Sequence, residues 1–151
     1  MSEIIRINEQ LRRAFEGPAW HGPSLTEVLA GVPAEKAAAK PIAGAHSIWE
    51  LVLHVIAWER VVIRRLGGET IDSLDPQEDW PAIPDQSETA WRKALAQLKS
   101  THDDLFLAIS KFPEGRLNDK VSGKYPYYAL LHGVIQHNLY HAGQIAILKK
   151  A

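Results

Sequence analysis

Two histidines stand four positions apart near the end of the chain, His137 and His141 in HNLYHAGQI, with aliphatic residues around them. A third, His54, has the same kind of setting in WELVLHVIAWE. A buried imidazole needs a partner for each ring nitrogen. Three neutral imidazoles facing one interior are hard to satisfy with aliphatic neighbours and easy to satisfy with a divalent metal. Each then offers one nitrogen at ~2.0–2.1 Å and turns its other N–H to a second acceptor. Three protein ligands leave a position open for water or substrate, the arrangement of catalytic rather than structural sites. With no carboxylate in the set, the site keeps nearly the full metal charge and favours an anionic fourth ligand. Imidazole ligands suit Zn, Ni, Cu or Fe and do not choose between them; Zn or Ni is the working expectation. The competing reading is an ordinary hydrogen-bonded core histidine. An isolated H-x-x-x-H is a weak signal in a chain with 7 histidines; a set of three on two helices is a stronger one.

Helical phase tests whether the three share an interior. An α-helix turns about 100° per residue, so His137 and His141 are offset by only ~40°. Leu130, Val134, Gln144, Ile145 and Leu148 fall within roughly 80° of His137 on the same side. His132 lies about 140° away, on the other face. In the earlier segment, Leu51, Trp58, Val61 and Val62 share the face of His54, and Glu50 lies about 40° from it. Glu50 is therefore the candidate catalytic carboxylate, a proton acceptor one turn from His54. Its other reading is structural: Ser47 and Glu50 have the spacing of a capping box, and that role is the better supported of the two.

The elements that must position these groups are helical. Residues 2 to about 16 form a first helix, ended by EGP. A Pro/Gly-rich connector follows; Ser24 caps a short helix LTEVLAG, and VPAEKAAAKPIAGA holds one further helical turn. Residues 46 to 66 form a second long helix, starting slightly late if Ser47 is its cap and stopped by Gly67 and Gly68. Residues 69 to 85, rich in prolines and acids, read as a loop crossing one end of the domain. Ser87 to Lys111 is a third long helix and Tyr127 to Lys149 a fourth. Between them FPEGRLNDKVSGKYP has room for a short extended segment but nothing sheet-like. The expected fold is all-α, a four-helix bundle over residues 1–151 with long crossover connections.

Composition agrees and narrows the function. A chain of 151 residues with 46% hydrophobic and 23% charged residues suits one domain with one real core. The formal charge of −1 and the lack of a basic stripe argue against nucleic acid and anionic membranes. The absence of cysteine removes disulfides, thiolate ligands and an internal thiol nucleophile, and is compatible with a cytoplasmic protein. The N-terminal segment does not read as a signal peptide, and no apolar run approaches the ~20 residues of a membrane span.

AHSIWELVLHVIAWE and LLHGVIQHNLYHAGQIAIL resemble the histidine segments of the DinB family of DinB/YfiT-like metalloenzymes. PAWHGPSLTEVLAGVPAEKAAAKPI and DWPAIPDQSETAWRKALAQL are similar to its connecting segments. The resemblance implies a four-helix bundle with a divalent metal on His54, His137 and His141, the same three that helical phase selects. It implies a homodimer, and an activity such as transfer of a low-molecular-weight thiol or thiol-dependent isomerisation of a small molecule; an open three-histidine metal position could also carry a hydroxide for hydrolysis. The expected function is thus a metal-dependent thiol S-transferase or hydrolase acting on a small electrophile. Its alternatives are a non-catalytic, stress-associated metal- or ligand-binding dimer and a plain helical dimer with core histidines.

Weaker candidates surround the site. Gln144 is either a second-layer partner of the histidines or a polar residue at the bundle end, and Trp58 is a core wall that could also stack a substrate. His21 reads as a connector residue; His46 and His102 read as solvated. Arg60, Arg64 and Arg65 give the second long helix a basic end that suits its macrodipole or could meet an anionic thiol. KYPYY, residues 124–128, could line a pocket or a dimer contact. Exposed apolar residues on the first or second long helix are the expected dimer surface.

Overall fold

In the computed structural model, which describes all of Met1–Ala151, four long helices form the frame: α1 (Glu3–Glu16), α4 (Ile48–Leu66), α6 (Glu88–Ser110) and α7 (Tyr127–Leu148). Around the bundle, α4 lies against α6 and α7, and α1 closes the ring against the same two. Three short helices occupy the connectors: α2 (Leu25–Leu29), α3 (Ala34–Ala38) and α5 (Pro76–Asp79). The fold is all-α, as the periodicity predicts. No helix is long and apolar enough to cross a membrane.

Local chemistry sets the ends of the helices. Ser47 accepts from the Glu50 N–H (3.1 Å) while the Glu50 carboxylate accepts from the Ser47 N–H (2.7 Å), which fixes the first turn of α4. Ser24 and Glu27 form the same reciprocal pair on α2. At the other end of α4 the chain turns away through Gly68, whose φ of +97° is easy only for glycine. The start of α7 has no side-chain cap; instead the connector bends back so that the Asp119 and Leu117 carbonyls accept from the Tyr127 and Tyr128 N–H groups.

Two connectors hold more structure than their sequences predict. The 69–85 loop contains α5, begun by a proline at its first turn. The 112–126 connector contains a two-residue antiparallel ladder, β1 (Lys120–Val121) with β2 (Tyr125–Pro126). Two-residue strands leave no periodicity to read, so the ladder is invisible to pattern analysis.

The bundle has two apolar cores stacked end to end. One joins Phe15, Leu25, Ile48, Val52, Trp91, Leu98 and Ile145. The other joins Ile7, Leu11, Val62, Leu105, Ile109 and Leu131. Polar residues lie where they meet. Glu59 is fully buried, and its Oε1 accepts from Asn138 Nδ2 (2.8 Å) and faces His102 Nδ1 (3.1 Å). His102, expected to be solvated from its acidic neighbours in sequence, is 2% exposed and stacks on Phe15 with ring centroids 3.6 Å apart. Its position on α6, one turn before Leu105, points it inward, while Asp103 and Asp104 face outward.

Removing Glu59 strands two buried partners, each unsatisfied group costing ~1–3 kcal/mol. Glu59→Ala should lower the unfolding free energy by about 3 kcal/mol in urea denaturation. Leu107→Ala, half-exposed on α6, should stay within ~0.5 kcal/mol of the parent.

Candidate metal centre

The three histidines meet at the level where the two cores join. His54 comes from the middle of α4, and His137 and His141 come from successive turns of α7. Their ligand nitrogens all lie within 4.8 Å of one another. His137 Nε2 is 3.1 Å from His54 Nε2 and 3.1 Å from His141 Nε2. His54 and His141 are buried and His137 half-buried.

The surrounding hydrogen bonds decide which nitrogens carry protons. His54 Nδ1 sits 2.9 Å from the Asp79 carbonyl oxygen and 2.9 Å from Asp79 Oδ1. Both are acceptors, so Nδ1 bears the hydrogen and Nε2 keeps its lone pair. His141 Nδ1 donates to Gln144 Oε1 at 2.6 Å, and its Nε2 is likewise left with a lone pair. His137 Nε2 faces both lone pairs, and a single N–H there cannot serve two acceptors well. Its Nδ1 is buried without a partner. A cation at the common point satisfies all three nitrogens at once. At a metal–nitrogen distance of ~2.0–2.1 Å, ligands 3.1 Å apart subtend roughly 100°, between the octahedral and tetrahedral angles. The donor set therefore fits a divalent ion, with imidazole as the only ligand chemistry.

Burial favours the neutral form of His137 and His141. Burial first, then the adjoining His141 and His54, bring the His137 pKa from its ordinary 6.5 down to about 4. Burial also lowers that of His141, against the opposing bond to Gln144. Neutral imidazole is the form that ligates.

The 69–85 loop supplies much of the surround. Trp80 lies flat against His54 (centroids 3.9 Å apart, 6°), and His46 covers its other face (3.4 Å, 5°). His46 thus stays partly in solvent, as expected, yet has a packing role. Trp58 Nε1 donates to Asp79 Oδ1 at 2.7 Å, tying α4 to the same carboxylate that orients His54. Gln144 is a second-layer partner, the first of the two roles its phase allows.

Glu50 fills the capping role that its spacing from Ser47 predicts. One oxygen is taken by the Ser47 N–H and the other by Lys40 Nζ (2.8 Å), with His46 Nδ1 3.5 Å away. Burial opposes its charge, but Lys40, Ser47 and His46 together hold its pKa below the usual value. The carboxylate placed against the triad is Asp79, which helical phase could not reveal because it lies in a connector 25 residues from His54. His21 is exposed, its Nε2 3.0 Å from the Pro23 carbonyl, and His132 packs on Tyr128 outside the cluster.

Two clefts open beside the triad. One, of about 440 Å³, is lined by His46, Trp80, Tyr140, His141 and Gln144. The other, of about 350 Å³, is lined by Trp58, Arg65, Tyr125, Gly133 and His137 among others.

Comparison with protein families gives a match to the DinB superfamily over residues 19–145, most of the chain and all three histidines, and the chain belongs to that superfamily. Neither curated proteins nor solved structures give a match.

Two outcomes follow from this geometry. Gln144→Ala should weaken metal binding by about 10–100-fold in competition titrations with a chromogenic chelator. In metal-free protein, stability should fall as pH is lowered from about 6.5 towards about 4, because the unfolded chain takes up a proton that folded His137 refuses. Urea denaturation across that range should show the slope, and His137→Asn should flatten it.

Proposed function

We propose that this member of the DinB superfamily is a divalent-metal-dependent enzyme that transfers a low-molecular-weight thiol, or water, to a small electrophile. The observation that carries this reading is the convergence of three imidazole Nε2 atoms, two of them fixed as lone-pair donors, beside two open clefts. Zn or Ni suits that donor set.

A bound divalent ion supplies Lewis acidity, making a coordinated thiol or water more acidic and polarising a carbonyl. The chain does the rest. Asp79 and Gln144 hold His54 and His141 in the tautomer that presents Nε2. Trp80 and Trp58 wall the site and limit water on either side of His54. Glu50 in this reading stiffens the turn that carries His54 and does not take the proton. The lack of cysteine means the thiol comes from outside the chain.

The same proposal takes a cytoplasmic homodimer as the working form. Ile5 on α1 and Phe106 on α6 are exposed apolar residues available for the contact, whereas α4 offers none of comparable size and exposure.

Metal analysis of tag-free protein by inductively coupled plasma mass spectrometry should find about one ion per chain, lost in His137→Ala. Thiol-dependent consumption of 1-chloro-2,4-dinitrobenzene, or hydrolysis of 4-nitrophenyl acetate, should then follow metal content and vanish in the variant. Metal binding with neither activity, across a panel of thiols and esters, would leave the non-catalytic metal-binding reading in its place.

A further inference from the structure

Arg65 is a buried cation without a counter-ion. It is 7% exposed, on the last turn of α4. Its Nε and Nη2 donate to the Ile71 carbonyl and its Nη1 to the Tyr125 hydroxyl (3.0 Å); all of these acceptors are neutral. The neighbouring charges are used elsewhere. Arg64 pairs with Glu69 at 2.8 Å, and Asp72, whose carboxyl does feel Arg65, pairs with Lys124 at 2.8 Å. A guanidinium has five N–H donors. Three are occupied here, which leaves two. Buried charges in proteins are normally paired, because desolvation without a partner is unfavourable.

Arg65 lines two cavities, a smaller one that it shares with the Lys124-paired Asp72 and a larger one that holds no carboxylate. The larger is the 350 Å³ groove whose wall includes the candidate metal ligand His137. Trp58 stands between them, its ring 6.0 Å from the Arg65 guanidinium carbon and 6.2 Å from the His137 ring. Val62, Leu130 and Val134 make the walls apolar. Gly133 lies in the same wall, inside α7 and past its first turn, where glycine is unfavourable by ~1 kcal/mol relative to alanine. A Cβ built there would meet nothing within 4 Å, so the missing side chain leaves groove space open.

From this geometry we infer that the groove is a subsite for a small carboxylate-bearing molecule, with its carboxylate on Arg65 and Tyr125 and its apolar stem along Trp58 towards His137. The guanidinium fork matches a carboxylate in shape as well as charge. The inference deepens the metal-enzyme reading and rests on it for the far end of the molecule only. It makes the thiol or electrophile an organic acid rather than a neutral compound.

The test uses two ligands differing only at one end, 4-mercaptobutyrate and 4-mercapto-1-butanol, titrated calorimetrically into zinc-loaded full-length protein. The acid should bind at least about tenfold more tightly than the alcohol. That ratio should fall to near one in Arg65→Gln and partly recover in Arg65→Lys, and Gly133→Phe should weaken both ligands by filling the groove. Independently, pentanoate titrated into metal-free parent protein should shift the Arg65 side-chain 15Nε signal, which requires no variant to fold. Equal affinity for acid and alcohol in the parent, a ratio unchanged in Arg65→Gln, or an Arg65 signal indifferent to pentanoate would overturn the subsite. Protein that takes up no zinc yet shifts its Arg65 signal with pentanoate would retain the subsite and refute the metal reading.

Discussion

Three imidazole nitrogens meeting in a bundle interior are the constraint around which the rest of this protein is organised. Lone pairs 3.1 Å apart repel unless a proton or a cation lies between them, and one proton cannot serve three nitrogens. Each neighbouring group reduces the freedom of that cluster. Asp79 takes the far N–H of His54, Gln144 takes that of His141, and Trp80 presses the His54 ring flat. Any buried histidine needs such partners; what sets these apart is that they leave the Nε2 atoms aimed at one point. They are the kind of contacts that would orient three histidines able to hold a metal ion.

The bundle accommodates this polar centre by dividing its apolar core. Aliphatic residues fill both ends, and the ionisable or amide groups of Glu59, His102 and Asn138 lie near the level of the triad. Asn138 follows His137 on α7, so its bond to Glu59 also fixes the rotation of the helix that carries two of the three ligands. A buried polar layer of this kind contributes less to stability than an apolar one would, and its justification is positional. The connectors serve the same end. The 69–85 loop crosses the bundle and delivers Asp79 and Trp80, and the 112–126 connector ends in Tyr125, which holds Arg65 over the groove.

Charge is distributed unevenly around the site. Arg65 has no carboxylate paired with it, and the single carboxylate against the triad, Asp79, is shared between His54 and Trp58. An interior with that balance favours anionic guests, and its aromatic and aliphatic walls favour guests with an apolar body. Recognition of charge at one end and chemistry at the other would give a small bundle specificity without a large binding surface.

What the sequence by itself determined is the set of inward-facing residues on each long helix and the places where those helices begin and end. Periodicity and capping are local, so His54, His137 and His141 were legible as inward-facing histidines, and the Ser47–Glu50 box as a start of α4. The family resemblance read from the histidine segments agrees with the superfamily match. What only the tertiary structure decided is which groups meet across elements. Glu50 looked suitable by phase, yet Lys40 and the cap engage it; Asp79 had no phase to read, yet it touches His54. His102 looked solvated beside two aspartates, yet it packs on Phe15. Arg65 was one of three basic residues at a helix end, and the paths of two connectors, not its own helix, bury it without a counter-ion. Local spacing specifies direction from a helix axis, whereas partnership depends on how distant segments of chain are brought together, and that information resides in no single stretch of sequence.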